Sequence, residues 1–292
     1  MVRRRALIIV NPATGGGRSA RRRLAQVIAA LERRGCIAIV RRAGPDIGDA
    51  ERLAREAEAD VDIIVAAGGD GTLNAVVNGI AAAPRPVALL PLGTANVLAR
   101  EIALPREPER LAKLIAEGPV RAVRLGRVDR RLFLTTASSG FDAEIVAAVD
   151  PRLKRRLGRV AFLWAILLCL CRYRGGELSV RVDGTDHRAA AVIAAKGRFY
   201  AGSFVIAPDA DLAEPMLDLV LFRRSGRLAI IRYLAALLLD RLPRRRDITL
   251  LRCSEALVSS TDSIPVQADG DIVAHLPVSI GIAEKPLWLV RP

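Results

Sequence analysis

The stretch VDIIVAAGGDGTLNAVVNG, Val61 to Gly79, decides the fold. Val61 to Ala67 is apolar except for Asp62, while Leu73, Val76, Val77 and Ile80 recur at helical spacing, so a strand runs into a helix. Gly68-Gly69-Asp70-Gly71-Thr72 is the turn between them. Glycines there uncover backbone N–H groups and permit positive φ, so a phosphate chain can approach the positive end of the helix. An acid is a cost in a loop that only attracts anions. Asp70 is therefore read as a handle for a metal ion or a proton.

Outward from this turn the same alternation continues. Strands are expected at Ala6 to Val10, Cys36 to Arg41 and Val87 to Leu90, and helices at Ser19 to Arg33, Asp46 to Ala59 and Thr72 to Ala82. Apolar strands separated by amphipathic helices make a parallel sheet covered on both faces. Three strands run into glycine-bearing turns, Thr14 to Gly17, Gly68 to Gly71 and Gly93-Thr94, which gathers three loops at the carboxyl edge where open α/β sheets bind ligands.

After about Arg121 the period changes. Leu178, Val180 and Val182 alternate with Ser179, Arg181 and Asp183 ahead of Asp183-Gly184, a hairpin signal. Short runs at Leu217 to Phe222, Ile248 to Leu251, Ala256 to Ser259, Ile264 to Gln267 and Val278 to Ile282, with a second turn at Asp269-Gly270, read as an antiparallel β sandwich. Two domains follow, 1–122 and 123–292, the last strand returning to the first domain as an option, packed closely with the site between them.

Composition narrows the partners. The chain has 292 residues and a formal net charge of +14, concentrated in clusters such as Arg21 to Arg23, Lys154 to Arg156 and Arg244 to Arg246. That charge asks for an anionic partner, or is a solvated basic surface. Only 4% of residues are aromatic and no stretch interleaves arginine with stacking residues as single-strand or RNA readers do, which disfavours nucleic acid and leaves an anionic membrane surface. Val160 to Cys171, flanked by arginines, falls short of the roughly 20 residues that span a bilayer, so it is a buried helix or one lying in the headgroup region. Leu228 to Leu239 invites the same two readings. Four cysteines without a CxxC pair, and two histidines, make a zinc site hard to assemble and fit reduced, buried thiols in a cytoplasmic protein. The apolar run after Arg3 to Arg5 stops at Asn11-Pro12, too short for a signal peptide. The oligomeric state stays open, a homodimer included.

Five motifs in order carry a resemblance: Asn11-Pro12-Ala13-Thr14-Gly15-Gly16-Gly17, GGDGTLNAVVNG from Gly68, PLGTAN from Pro91 to Asn96, SSGFDAEIV from Ser139 to Val146, and Asp269-Gly270-Asp271. Together they resemble the diacylglycerol kinase catalytic family, which includes bacterial lipid kinases and the sphingosine and ceramide kinases and shares GGDGT with NAD kinases. Each glycine turn alone could merely reverse the chain; five in order do more. The resemblance implies an NAD-kinase-like parallel-sheet domain, a C-terminal β sandwich, ATP as phosphoryl donor, Mg²⁺, and a lipid substrate for a cytoplasmic enzyme peripherally bound to membrane. It assigns ATP to Asn11, Pro12, Thr14, Gly15, Gly16, Gly17, Gly68, Gly69, Asp70, Gly71, Thr72, Asn74, Gly93, Thr94 and Asn96. Asp271 stands where the family typically has Glu and is the expected base; Asp269 is its rival, and Asp70 completes the catalytic set. Phe141-Asp142 is read as packing. The acceptor is expected to be diacylglycerol or a related lipid, with a sphingoid base or ceramide, NAD, or lipid binding without catalysis as alternatives. NAD kinases are expected to present an Asn-Glu pair downstream, and no Asn follows Asn96.

The chain also departs from the family. Val97, Arg124 and Ala213-Glu214-Pro215 stand where acidic residues of a structural Mg²⁺ site are usual. That ion would fall to the carbonyls of Asp211 and Met216 and the carboxylate of Glu214. The permanent cation at Arg124 suggests a substitute, an ion pair with Glu214.

Overall fold

The computed structural model describes residues 4–12, 17–44, 46–149, 166–167, 169–170 and 175–292. Two compact units emerge, Met1–Val123 with Lys285–Pro292, and Arg124–Glu284.

The first unit runs β1 (Arg5–Val10), α1 (Arg18–Arg33), β2 (Ile37–Arg42), α2 (Ile47–Arg55), β3 (Ile63–Gly68), α3 (Asp70–Gly79), β4 (Val87–Pro91), α4 (Val97–Glu101), α5 (Pro108–Glu117) and β5 (Val120–Val123). Its sheet has the order β2-β1-β3-β4, continued by the chain's last strand, Leu287–Val290, and then β5. The first four strands are parallel, the last strand is parallel to β4, and β5 is antiparallel to it. Ala6, Ile8 and Val10 of β1 pack with Val27 and Leu31 of α1 and Leu111 and Ile115 of α5 on one face. Helices α2 and α3 pack on each other so closely that a Cβ on Gly79 would sit 2.3 Å from the Glu51 carbonyl oxygen.

Helix α2 is shorter than its alanine-rich sequence suggests. The chain must turn into β3, and it does so with Val61 N–H donating to Glu58 O at 3.2 Å while Arg85 caps the Glu58 and Val61 carbonyls at 2.6 and 3.2 Å.

The second unit contains β6 (Gly126–Val128), β7 (Arg131–Phe133), β8 (Thr136–Ser139), α6 (Phe141–Ala148), β9 (Leu178–Val182), β10 (Thr185–Ala189), β11 (Ala191–Ala195), the short pair β12 (Phe199–Tyr200) and β13 (Phe204–Val205), β14 (Leu217–Phe222), α7 (Arg227–Leu238), β15 (Ile248–Cys253), β16 (Glu255–Ser259), β17 (Pro265–Ala268), β18 (Asp271–His275) and β19 (Val278–Ile282). The two sheets of the sandwich have the orders β10-β9-β16-β19-β6-β7 and β15-β14-β11-β8-β17-β18. Leu217, Leu219 and Leu221 of β14 join Val192 and Ala194 of β11 in the core with β9 and β16. The alternate residues Val220, Phe222, Ala191 and Ile193 form a second core with α6 and with Ile230, Tyr233 and Leu237 of α7. This second sheet is therefore buried on both faces.

Both Asp-Gly pairs make two-residue hairpins. Asp183 and Gly184 have φ of 48° and 79°, Asp269 and Gly270 have 48° and 91°, the positive values that a type I′ turn requires. Of the cysteines, Cys36 and Cys253 are buried thiols, and Cys169 is half-buried rather than buried as expected. Most of the apolar stretch from Val160 to Cys171 lies outside the described residues. Among the described residues no helix is long and apolar enough to cross a membrane.

Candidate functional site

In the first unit, three segments meet around the start of α3. Gly68 ends β3, and its carbonyl accepts the N–H groups of Leu92 at 2.8 Å and Gly93 at 3.3 Å. That brings the turn after β4 onto the turn after β3. A Cβ on Gly93 would lie 2.6 Å from Gly69 Cα, so glycine is required there by close approach. Asn11, at the end of β1, donates its N–H to Ala67 O at 3.1 Å and its side-chain amide to Thr72 Oγ1 at 3.1 Å. Among the described residues the N-terminus of α3 has no side-chain cap. It is a place where main-chain donors and the helix dipole face an anion.

Asp70 closes the arrangement. Its carboxylate accepts the N–H of Val97 at 3.0 Å and of Leu98 at 3.3 Å, and so caps α4 from 27 residues away. Asn96 holds the left-handed conformation, φ 46°, and its amide donates to Gly93 O at 2.7 Å. Its Oδ1 is buried with no hydrogen-bond partner among the described residues, an acceptor open to a ligand donor. Asn74 points away from the turn, along α3, where its Oδ1 accepts from Asn78 at 3.0 Å. Pro12, Gly17 and Thr94 are exposed. Thr14, Gly15 and Gly16 lie outside the described residues.

In the second unit, the Asp269-Gly270-Asp271 turn is fixed from two sides. The Asp269 carboxylate accepts the N–H groups of Leu134 at 2.7 Å, Thr135 at 2.9 Å and Thr136 at 3.2 Å, and the Thr135 hydroxyl at 2.7 Å. Gly270 N–H donates to Gln267 Oε1 at 2.9 Å. The amide of Gln267 in turn donates to Ser138 Oγ at 2.8 Å and to Asp142 Oδ2 at 3.1 Å. Asp142 is buried on α6 and also accepts the hydroxyls of Ser138 and Tyr200. Burial pushes its carboxyl above the ordinary range, and the three donors oppose that. Asp271 opens β18, half-buried. Phe141 packs edge-on against Phe222, ring centroids 5.3 Å apart. Sequence reading placed Phe141-Asp142 as packing and missed Gln267 as the link to the turn.

The loop before β14 corrects an expectation. Glu214 does not pair with Arg124: its carboxylate bonds Arg252. The reason is register, since Asp218 of β14 stands opposite Arg252 of β15 and so sets that guanidinium beside the loop. Arg124 instead donates its N–H to Leu212 O at 2.7 Å and its guanidinium to Glu284 O at 3.4 Å. The carbonyls of Asp211, Glu214 and Met216 all face Lys196 Nζ. Among the described residues no group of three His, Cys, Asp or Glu could hold a metal ion. Lys196 was not singled out from sequence; the available signal is that only four of the 45 basic residues are lysine.

Residues 5–128 match the diacylglycerol kinase catalytic domain, and residues 135–291 match the YegS C-terminal NAD kinase beta sandwich-like domain. A diacylglycerol kinase of Bacillus subtilis is 30% identical over 99% of this chain and 97% of its own length. One from Mycobacterium tuberculosis is 29% identical over 97% and 94%. A probable YegS-like lipid kinase of Chromohalobacter salexigens is 31% identical over 84% and 81%. A solved structure of a putative diacylglycerol kinase from Bacillus anthracis shares the fold, with a TM-score of 0.82 over 99% of this chain and 95% of that one at 22% identity. The chain belongs to the diacylglycerol kinase catalytic family of lipid kinases.

Proposed function

We infer that the chain transfers the γ-phosphoryl group of ATP, brought as its Mg²⁺ complex, to the hydroxyl of a diacylglycerol-like lipid. The observation that carries the nucleotide assignment is the convergence of Asn11, the Gly68–Thr72 turn and the Gly93–Asn96 turn on an uncapped helix N-terminus. Backbone N–H groups at that end suit phosphates, and the orphan Asn96 Oδ1 suits a hydroxyl or amino donor of the nucleotide. In the reaction the lipid oxygen forms the new P–O bond, the bond to the β-phosphate bridging oxygen breaks, and ADP leaves. Positioning and charge neutralisation dominate such a transfer.

Asp271 takes the proton of the lipid hydroxyl in this reading. Asp269 spends its lone pairs on four donors and Asp70 spends two on the start of α4, so both are assigned to building the turns they sit in. Asp271 stands at the position where the family typically carries a carboxylate, and that place supports its assignment as the base.

The membrane contact is assigned to α7. Leu228, Ile231, Leu238 and Leu239 are 59%, 50%, 67% and 65% exposed along one side of the helix, while Ile230, Tyr233 and Leu237 fill the core on the other. Arg232 of the helix and Arg241, Arg244 and Arg246 just after it in the chain are exposed, with no ion pair among the described residues. Exposed leucines on a helix followed by exposed arginines suit an anionic lipid surface in the cytoplasm.

Labelled ATP offered with a panel of lipids in mixed micelles tests the proposal. Label is expected in the phosphomonoester of diacylglycerol and none in NAD. Transfer to a sphingoid base or ceramide alone would move the acceptor, and no transfer to any lipid would overturn the reading.

A further inference from the structure

The family resemblance puts a structural divalent ion at the loop before β14, on oxygens of Asp211, Glu214 and Met216. In this chain three main-chain carbonyls of those residues converge on Lys196 Nζ, at 2.8, 2.6 and 3.1 Å. Lys196 has no solvent exposure. An ammonium has three N–H donors, and here each has an acceptor. The Glu214 carboxylate, the one anion expected to hold the metal, is turned to Arg252 instead. A Mg²⁺ or Ca²⁺ ion needs six or more oxygens and no cation at contact distance, so it does not fit while Lys196 is in place.

We propose that Lys196 is the built-in cation of the 211–216 loop, ordering it in place of a divalent ion, so that the chain binds no Mg²⁺ there. Lysine suits the task where arginine does not. Its compact point charge can turn three donors onto three converging oxygens, whereas the guanidinium is a flat fork.

The clamp reaches the Asp-Gly-Asp turn through the backbone. Lys196 N–H donates to Thr135 O at 2.8 Å, and Thr135 N–H and Oγ1 donate to Asp269. Lys196 is thus a positioning residue: its side chain holds the loop and its main chain holds the segment that anchors Asp269.

Hydrogen exchange of the 211–216 amides, with nucleotide absent, tests this. In the wild-type chain, exchange is expected to be the same in Mg²⁺ and in EDTA. In Lys196→Met it should be faster by about tenfold or more, with Mg²⁺ giving no recovery. Lys196→Ala, which vacates the space of propylammonium, should recover protection when that amine is added. Saturable protection of the wild-type loop by Mg²⁺ would overturn the proposal, as would a Lys196→Met loop as protected as the wild type. The wild-type arm decides even if neither variant folds. These readouts do not involve phosphoryl transfer, so they stand apart from the kinase reading. One corollary does rest on it: at fixed Mg²⁺-ATP, added free Mg²⁺ should not raise the rate.

Discussion

Asp269 and Thr135 lie 134 residues apart and share two hydrogen bonds, N–H to Oδ1 at 2.9 Å and Oγ1 to Oδ1 at 2.7 Å. The bond from Leu134 to the other carboxylate oxygen makes this a cage of donors around one side chain. Asp271, two residues on, starts β18. The two acids therefore separate by role, and substitution should separate them by phenotype. Asp271→Asn is expected to lower turnover by about 10²- to 10⁴-fold with its unfolding transition unchanged. Asp269→Asn is expected to lose activity and also stability, on the order of 3 kcal/mol, because an amide placed against N–H groups leaves donors unsatisfied. Urea unfolding beside steady-state rates checks both. An Asp269→Asn protein as stable as the wild type would remove the anchor role.

Asp70 makes a further case of an acid bound by main chain. Its two bonds hold the start of α4 against the glycine turn, and α4 has no other side-chain cap. Asp70→Ala should cost about 0.5–2 kcal/mol, the range for loss of a helix cap. It should also raise KM for ATP, because the Gly93–Asn96 turn loses its tie to the Gly68–Thr72 turn. ATP titration of the initial rate measures it. An unchanged KM with a fallen kcat would return Asp70 to the proton or metal role that its place in the turn first suggests.

The parts of this molecule legible in sequence are those whose causes are local. The β3 to α3 turn announces itself through glycines, and the β9 to β10 hairpin through strict alternation and Asp183-Gly184. Strand β11 does not, because Ala191–Ala195 is buried on both faces and so has no alternation to read. Helix α4 is only five residues long and takes its cap from Asp70, a partner that no local pattern contains. Helix α5 does carry readable signals, Pro108 in its first turn and Leu111, Ala112 and Ile115 at helical spacing, but no glycine motif draws attention to it. At the site, Gly68, Asp70 and Asp269 are visible as motif residues. What they bond to is not: Val97, Leu134 and Thr136 act through backbone N–H groups, which any residue type supplies. The pairing of Glu214 with Arg252 likewise depends on strand register and not on sequence spacing.

The buried Asp142 should leave a mark on the pH dependence of stability. Burial raises its folded-state pKa above the ordinary 3.8. A raised carboxyl binds more protons folded than unfolded across that interval, so stability falls as pH rises through it. In Asp142→Asn this contribution is gone. The difference in unfolding free energy, wild type minus variant, should therefore decrease as pH rises above the ordinary 3.8. Urea titrations of both proteins at several pH values read it directly. A difference that grows with pH would mean that Ser138, Tyr200 and Gln267 hold the ionised form more strongly than burial opposes it.

The outer face of α7 gives the last prediction. Its apolar residues are exposed, so charging them should leave the fold intact while removing what enters the lipid. Burying a leucine or isoleucine side chain is worth about 1.5–3 kcal/mol, so Ile231→Glu with Leu238→Glu should weaken vesicle binding by at least about tenfold. The arginines act differently. Surface charges more than about 10 Å apart are largely screened at 0.1 M salt, so wild-type binding should be stronger on anionic than on neutral vesicles and weaken as salt is raised. Replacing Arg232, Arg241, Arg244 and Arg246 by Gln should remove the preference for anionic lipid while leaving residual apolar binding. Sedimentation with neutral and anionic vesicles distinguishes these effects. Equal wild-type binding to both vesicle types would remove the electrostatic part, and undiminished binding by the double glutamate variant would remove α7 as the docking element. Because binding is read without turnover, the result is independent of which lipid hydroxyl accepts the phosphate.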